Sequence, residues 1–473
     1  MHSREPHGSG RKPTDASLVG RLPPARRAKL LDRLALEPHR SSPAQLLQFG
    51  EYAEQIETYE LDLLLAEIAE ALPEAEGVRE ARMGCRSLRA MRTFLLNDPD
   101  GALAEWAELI AEDPDGAAPA HLFRSQFYLV RGALDEALAD ANRAVVLTPE
   151  DAPPYARRGE IYHAMGRDAE AVTNFLRAVQ LDPDSPAALS GMGVCRFLAG
   201  DWADAIRWYT RAIRSVPRRS RLYIARAFCF ENEGRIEAAS TDFDAAIALD
   251  PTDAAAFHGR GRCQKAISPT LAIADYTRSI ELDAGEAAVW SDRGRVNFLA
   301  GESDMAERDA TRAIALDPTD AHAHFTRALV HHRRGDIARA LADYEAAARI
   351  EPTDALYATA CVKARQQLGD AIALRADLDA TIALDPNGVE MRMMRARFLV
   401  KEGALDRALE DFAMALTLGA RRVSSAPALS NAERARLHYE RAEVLHALNR
   451  SDEAADDVER ARALSLNAAM HRA

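Results

Sequence analysis

Two short helical patterns alternate along most of this chain. In the clearest segment, from about Ala152 to Pro183, small and apolar residues recur at helical spacing on either side of a turn at Gly166. The first set comprises Tyr155, Gly159 and Tyr162, and the second comprises Ala171, Phe175 and Ala178. Residues three or four apart share one face of a helix, so the segment predicts two amphipathic helices that pack against each other.

A proline closes each such segment, and these prolines are evenly spaced. They are Pro149, Pro183, Pro217, Pro251, Pro318, Pro352 and Pro386, with successive intervals of 34, 34, 34, 67, 34 and 34. A period near 34 predicts stacked helical hairpins, which bury their apolar faces only against their neighbours. About ten or eleven hairpins are predicted between residues 83 and 466.

The order of these markers points to a family. Aromatic-x3-Gly-x2-Tyr, then Ala-x3-Phe, then Pro runs from Tyr155 to Pro183, and this pattern closely resembles the tetratricopeptide repeat. The resemblance covers some four fifths of the chain. It implies an all-α fold, a right-handed superhelical α-solenoid of about ten to eleven hairpins. Two repeats depart from the pattern: one has a turn shortened by one residue around Ser268 and Pro269, and repeat 355–386 predicts less regular packing.

Small residues mark the place where the two helices of a repeat cross. Gly159 and Ala171 permit a close approach, and the ring of Phe175 is expected to fill the space around that contact. Pro183 cannot continue the second helix and therefore ends it.

A second periodicity pairs an arginine at position i with an acid at position i+16. The pairs are Arg89 with Glu105, Arg124 with Asp140, Arg226 with Asp242, Arg293 with Asp309, Arg327 with Asp343, Arg395 with Asp411 and Arg441 with Asp457. Variants of the pair are Arg260 with Asp275, which is one position closer, Arg158 with Asn174, Met192 with Trp208, and Cys361 with Asp377, which breaks the rule. We expect a structural brace across each hairpin, because a ligand site would not be copied so evenly.

The repeats also predict how the chain is divided. The predicted parts are a disordered tail (1–22), an irregular helical amino-terminal cap (23–76), a tandem repeat array (77–419), a linker loop (420–431), and a last hairpin with a carboxy-terminal cap (432–473). Ser430, followed three positions later by Glu433, predicts a capping box at the start of that last hairpin.

Charge and composition narrow the functional classes. The formal net charge of −13 argues against the whole molecule binding nucleic acid. No stretch approaches the roughly 18 continuous apolar residues of a membrane span, and the first residues lack the apolar core of a secretion signal, so we expect a cytoplasmic protein. Cys195, Cys229 and Cys263, which recur with the period of the repeat, are predicted to be buried reduced thiols.

The sequence carries no catalytic motif. Gly-x4-Gly-Lys-Ser/Thr, His-Glu-x2-His and Gly-x-Ser-x-Gly are all absent. Four histidines on one predicted helix, His322, His324, His331 and His332, have no acidic or cysteine partner there. We therefore predict a protein without catalysis, cofactor or metal.

The resemblance also implies where a ligand would bind. In tetratricopeptide repeat proteins the first helices of successive hairpins line a concave groove that holds extended peptides. The apolar residues implied to face it are Val194, Phe197, Leu198, Ile224 and Phe228. The basic ones are Arg262, Lys265, Arg295, Arg333, Lys363, Arg397 and Lys401, with His258, His322 and His332 beside them. Cations gathered on one wall of an acidic protein would attract an anionic ligand, whereas the alternative is a set of ordinary solvated helix faces.

These features predict a non-catalytic scaffold that binds an extended, acidic segment of another protein in this groove. Two alternatives remain open: a structural assembly factor that self-associates, and a regulatory subunit that contacts nucleic acid through the basic wall.

Overall fold

The computed structural model describes residues 98–420 and 429–470, together with Met83, Arg86, Ser87 and Ala90. The predicted tail (1–22), the whole predicted amino-terminal cap (23–76) and linker residues 421–428 lie outside the described residues. The described residues form 21 α-helices and no strand, which confirms the predicted all-α helical-repeat fold. None of these helices is long and apolar enough to cross a membrane.

The chain divides into two compact units, Met1–Pro251 and Thr252–Ala473. The described helices of unit 1 are α1 (Pro99–Glu112), α2 (Ala118–Val130), α3 (Leu134–Leu147), α4 (Ala152–Ala164), α5 (Asp168–Leu181), α6 (Pro186–Leu198), α7 (Trp202–Ser215), α8 (Ser220–Asn232) and α9 (Ile236–Leu249). Those of unit 2 are α10 (Ala254–Gln264), α11 (Pro269–Leu282), α12 (Ala287–Leu299), α13 (Ser303–Leu316), α14 (Ala321–Arg333), α15 (Ile337–Ile350), α16 (Ala355–Leu368), α17 (Ala371–Leu384), α18 (Val389–Lys401), α19 (Leu405–Gly419), α20 (Asn431–Ala447) and α21 (Ser451–Met470).

From α2 onwards, each even-numbered helix packs against the odd-numbered helix that follows it, and these pairs make ten hairpins among the described residues. We call the even-numbered member the first helix and the odd-numbered member the second helix. The side chain of Ser430 accepts a hydrogen bond from the Glu433 amide and the Glu433 side chain accepts one from the Ser430 amide, so the predicted capping box at α20 is confirmed.

Most hairpins turn at a glycine in the left-handed conformation. These glycines are Gly132, Gly166, Gly200, Gly234, Gly301, Gly335, Gly369 and Gly403, with φ between 73° and 91°. A side chain at these positions would be strained, which explains why glycine recurs there. The hairpin of α10 and α11 has no such glycine between Gln264 and Pro269. The starts of its two helices, Ala254 and Pro269, are 15 residues apart, whereas Ala287 and Ser303 of the next hairpin are 16 apart, so the predicted loss of one residue is confirmed. The loss shortens α10 to 11 residues and does not shorten the connection between the helices.

The core of each hairpin is the close crossing that the small residues predict. Gly159 and Ala171 are buried, and Phe175 is 1% exposed. A Cβ placed on Gly159 would lie 2.7 Å from Cε1 of Phe175. The same ring also abuts Gly191 of the next hairpin, so one phenylalanine joins two repeats.

We expect this crossing to tolerate neither added bulk nor a cavity. Gly159→Leu should cost about 1–3 kcal/mol by overpacking, and Phe175→Ala about 3–5 kcal/mol by cavity formation. Urea unfolding measures both. Ala164→Leu, at an exposed position of the same helix, is the control and should change stability by less than about 0.5 kcal/mol. Wild-type midpoints for both core variants would contradict this packing.

The arginine–acid pairs form the predicted braces. In each described pair Nε and one Nη of the arginine donate to both oxygens of the aspartate, at 2.5–2.9 Å. The pairs are those at Arg124, Arg226, Arg260, Arg293, Arg327, Arg395 and Arg441, whereas Arg89 lies outside the described residues. This bidentate geometry is the strongest that a guanidinium and a carboxylate can form.

The three exceptions alter the pair in different ways. Arg158 donates through Nε to the amide oxygen of Asn174 at 2.7 Å. Met192 is buried, and Trp208 packs against the same apolar cluster. At Cys361 a different residue supplies the charge: Nε of Arg365 lies 2.8 Å from Asp377, close enough for an ion pair but not aligned for a hydrogen bond.

Each of four arginines also reaches backwards, which the sequence interpretation missed. Nη1 of Arg226 donates to Oγ1 of Thr210 at 3.0 Å, and Nη1 of Arg293 donates to Oγ1 of Thr277 at 3.0 Å. Arg158 and Arg395 make the same contact with Asn142 and Asp379. All four acceptors lie on the second helix of the preceding hairpin. One guanidinium thus connects three helices.

We expect the braces to behave as buried pairs. Arg293 and Asp309 are 9% and 2% exposed. Asp309→Ala leaves the arginine buried without its partner, and should cost about 3 kcal/mol. The control is Glu281→Ala in the exposed pair with Arg278, which should cost roughly 0–1 kcal/mol. A double-mutant cycle in urea unfolding measures the coupling, and a coupling near zero between Arg293 and Asp309 would show that the pairing is wrong.

The residue three positions before the arginine completes the brace. It is aromatic in several hairpins, where the guanidinium lies over the rings of Tyr155, Tyr223, Phe257 and Trp290 at 4.9–5.8 Å. In three others it is a histidine that contacts the same aspartate: His121, His324 and His438. Burial disfavours the charge of Asp140, but the hydrogen bonds from Arg124 and His121 outweigh it, so the pKa of that carboxyl lies below its usual value.

The histidine in the last hairpin predicts a pH-dependent stability. Burial lowers the pKa of His438, against the opposing effect of Asp457, while Arg441 and Arg460 lower it further. In the unfolded chain the imidazole of His438 titrates at about pH 6.5. Below that pH the unfolded state binds one proton more than the folded state, so the free energy of unfolding falls. The lowered pKa of Asp457 acts only below about 4 and leaves this window unaffected.

We therefore expect His438→Gln to flatten the loss of stability between about pH 7.5 and about pH 5.5. Urea unfolding at both pH values measures the slope. His446→Gln, at an exposed position on the same helix, is the control and should leave the slope unchanged. Equal slopes for wild type and His438→Gln would mean that this histidine does not titrate differently on folding.

Candidate functional site

All seven predicted basic groove residues lie in unit 2. Arg295, Arg333 and Lys363 lie on first helices α12, α14 and α16. Arg262 lies on α10, with Lys265 just beyond its end, and α18 carries Arg397 and Lys401. Consecutive first helices therefore supply the row, and we call it the basic wall.

Carboxylates from the following first helix pair with part of this wall. Nζ of Lys265 lies 3.8 Å from Asp292 on α12, and Nζ of Lys363 lies 3.0 Å from Glu390 on α18. Arg397 donates two hydrogen bonds to Glu440 on α20, at 2.8 and 3.0 Å. The sequence interpretation treated these cations as unpaired, because it did not place the acids of the next hairpin opposite them.

Asp292 is contacted by more than one of these basic groups. His258 contacts it at 3.0 Å, and Arg262 and Lys265 add positive charge nearby. Burial alone would raise the pKa of the Asp292 carboxyl, but the hydrogen bond from His258 and the neighbouring cations lower it below its usual value. This end of the wall is therefore an internal ion-pair cluster and not an open cationic surface.

The middle and the far end of the wall are more open. Arg295, Arg333 and Lys401 are exposed. The guanidinium of Arg333 lies 3.7 Å from the ring centroid of Phe298 and donates to the Phe298 carbonyl at 3.0 Å, so the side chain is held in place while remaining accessible. The guanidinium of Arg333 is therefore already ordered, and it would lose little conformational entropy when it binds a ligand.

Polar side chains on α14 and α16 also contact one another. His322 contacts the Tyr357 hydroxyl at 2.7 Å, and His332 contacts the amide of Gln367 at 3.3 Å. The other two histidines of α14 have different partners, since His324 and His331 both approach Asp343, at 3.3 and 3.9 Å. The four histidines are divided between two sets of contacts and do not converge on one point.

The predicted apolar groove residues lie in unit 1, on α6 and α8. Val194 and Phe197 are half-buried against the core cluster around Tyr209, and Ile224 is 7% exposed. The ring of Phe228 meets that of Phe243 edge-on at 5.4 Å. Leu198, 60% exposed, is the member of this group that presents a large apolar surface to solvent.

Unit 1 also carries an arginine-rich segment that the sequence interpretation did not single out. The range 205–230 contains seven arginines and no acid. Arg207, Arg214, Arg218 and Arg221 are exposed along α7, the turn that follows it and the start of α8. The corresponding turns elsewhere carry aspartates, such as Asp250 and Asp253, so the charge of this one turn is reversed.

The cysteines of the repeats are buried and unbridged, as predicted. Cys195, Cys229, Cys263 and Cys361 have free thiols. Burial raises the pKa of Cys229 to about 12, with a further contribution from the charge of Glu233. Such a thiol remains protonated at neutral pH and behaves as a small packing group.

Family models match the chain in several places. One model described as tetratricopeptide repeat matches residues 95–152, 291–355 and 364–427, and a second model with the same description matches residues 220–253. A model described as TPR repeat matches residues 159–200. Together the matches cover more than half of the chain.

Solved structures match shorter parts. PilF from Pseudomonas aeruginosa is 16% identical over 44% of this chain and 96% of its own, with a TM-score of 0.42. YrrB, described as a TPR protein with an unusual peptide-binding site, is 19% identical over 39% of this chain and 95% of its own, with a TM-score of 0.34. MamA is 23% identical over 34% of this chain and 95% of its own, with a TM-score of 0.32. A search of the curated proteins finds no match.

Proposed function

This chain belongs to the tetratricopeptide repeat family, whose members generally mediate protein–protein interactions, and we propose that it is a non-catalytic cytoplasmic scaffold that binds an extended acidic segment of another protein along the first helices of unit 2. The supporting observation is the exposure of Arg295 and Arg333 on successive first helices, within a wall whose other cations are largely paired. Unbridged thiols fit a reducing compartment.

The chemistry of the wall fits such a ligand. Carboxylates of a flexible peptide can pair with Arg295, Arg333 and Lys401, while its amides meet the hydrogen-bonding groups of His322 and Gln367 between them. A partner with several acids can also displace Glu390 from Lys363, because a pair between exposed side chains stabilises by only about 0–1 kcal/mol.

Fluorescence anisotropy with a labelled acidic peptide and a neutral peptide of equal length tests this function. We expect the acidic peptide to bind more tightly, and its affinity to fall steeply as salt shortens the Debye length to about 10 Å. Arg295→Glu with Arg333→Glu should abolish binding, whereas Arg312→Glu, at an exposed position on second helix α13, should not. Equal affinity for both peptides, or no effect of the double charge reversal, would contradict the proposal.

A second candidate function, contact with nucleic acid, is favoured by the arginine-rich segment of unit 1. Exposed arginines such as Arg214 and Arg218 can neutralise phosphates, and binding would depend strongly on salt. Titration with single-stranded RNA separates the two functions. Loss of RNA binding in Arg214→Glu with Arg218→Glu, but not in Arg295→Glu with Arg333→Glu, would favour this candidate. The remaining alternative, self-association, would give a mass by light scattering that rises with protein concentration.

A further inference from the structure

Three side chains of different chemistry meet in unit 1. They are His163 at the end of α4, Asp168 at the start of α5 and Cys195 on α6. One ligand atom of each, an imidazole nitrogen, a carboxylate oxygen and the thiol sulfur, lies within 4.8 Å of the other two. Nδ1 of His163 and Oδ1 of Asp168 are 2.9 Å apart.

The repeat architecture brings these groups together from two hairpins. The left-handed turn at Gly166 reverses the chain between His163 and Asp168, so both lie at the same end of one hairpin. Cys195 comes from the first helix of the next hairpin. A metal ion held by all three would therefore connect α4, α5 and α6.

The next repeat shows that packing does not require this set of residues. Cys229 lies one repeat after Cys195, and the positions corresponding to His163 and Asp168 are Phe197 and Trp202. There the cysteine and the two aromatic side chains share one apolar cluster. The same three positions are thus apolar in one repeat and offer nitrogen, oxygen and sulfur ligands in the one before it, which a purely structural role would not demand.

The donor set indicates which metal fits. Thiolate, imidazole and carboxylate are the three ligand types that zinc binds, and three protein ligands leave a fourth tetrahedral position for water. The side chains of His163 and Asp168 are 32% and 58% exposed, so an ion can reach them from solvent, whereas Cys195 is 7% exposed and closes the site from inside.

We propose that His163, Asp168 and Cys195 bind one zinc ion through the imidazole, the carboxylate and the thiolate. Binding displaces the thiol proton to solvent. The imidazole proton shared with Asp168 moves to the other ring nitrogen of His163, so the hydrogen bond is replaced by two bonds to the metal without release of a second proton. Burial, followed by the negative charge of Asp168, raises the pKa of Cys195, so the thiol is protonated before the metal arrives. One proton should accordingly be released for each ion bound by the thiolate.

The experiment uses the full chain with zinc and with cobalt as a spectroscopic probe. Calorimetric titration in buffers of different ionisation enthalpy should give one zinc site per chain whose binding releases a proton. Cobalt should produce the near-ultraviolet charge-transfer band of a thiolate ligand. Zinc should also raise the melting temperature as its concentration rises above the dissociation constant.

Matched variants decide the assignment. The cobalt band should disappear in Cys195→Ala and persist in Cys229→Ala, which removes the corresponding thiol of the next repeat. His163→Gln and Asp168→Asn should each weaken zinc binding by at least about tenfold, the lower limit for losing even an outer-shell partner of a metal. Circular dichroism confirms that each variant is folded, and His163→Gln alters a partly exposed side chain if Cys195→Ala does not fold.

No thiolate band in the wild-type protein, or a band that survives in Cys195→Ala, would overturn the proposal. So would zinc affinity unchanged in His163→Gln. In those cases His163 and Asp168 form only an ion pair at the hairpin turn, and Cys195 is a packing residue like Cys229. Peptide binding along unit 2 is measured separately, so failure of one proposal leaves the other unaffected.

Discussion

A guanidinium packed between two helices needs an acceptor that faces it, and in this chain a carboxylate supplies that acceptor in most hairpins. The arginine lies beside the small residue where the helices cross, so it enters the hairpin at its narrowest point. At Arg293 the guanidinium contacts Asp309 in its own hairpin, Thr277 in the preceding one and the face of Trp290. Rotation of either helix would break several of these contacts at once, so the brace fixes how this hairpin and its predecessor are oriented.

This constraint explains why departures from the repeat involve more than one residue. Where Met192 replaces the arginine, Trp208 replaces the acid, because a lone buried aspartate would lose its partner. Where Cys361 replaces it, Arg365 approaches Asp377 from one helical turn away, but without aligned hydrogen bonds. Burial then dominates the pKa of Asp377 and raises it. The irregular repeat predicted at residues 355–386 is thus one in which the charge is supplied from a less favourable position.

The sequence predicted the features that depend on distances along the chain. The hairpins, the crossing at Gly159, the hairpin that is one residue shorter and the braces all follow from fixed spacings within one repeat. The acids that pair with the basic wall were missed because they lie on the next first helix, outside the pattern of a single repeat. Asp292 and Glu390 each follow their lysine by 27 residues, whereas Glu440 follows Arg397 by 43. The cluster of His163, Asp168 and Cys195 was missed for the same reason, since it joins two hairpins whose rotation no single-repeat pattern reveals.

The internal acids change what the wall of unit 2 can select. A cation that already faces Asp292 or Glu440 gains little from one more carboxylate, because the ligand must displace a partner held permanently nearby. Under the proposed function, such a wall would discriminate against single acids and favour a ligand that brings several along one extended segment. Arg295 and Arg333 can accept the first carboxylates, and the contact of Arg333 with Phe298 keeps its guanidinium oriented for them. Pairing within the wall would therefore set specificity, and the exposed arginines would set affinity.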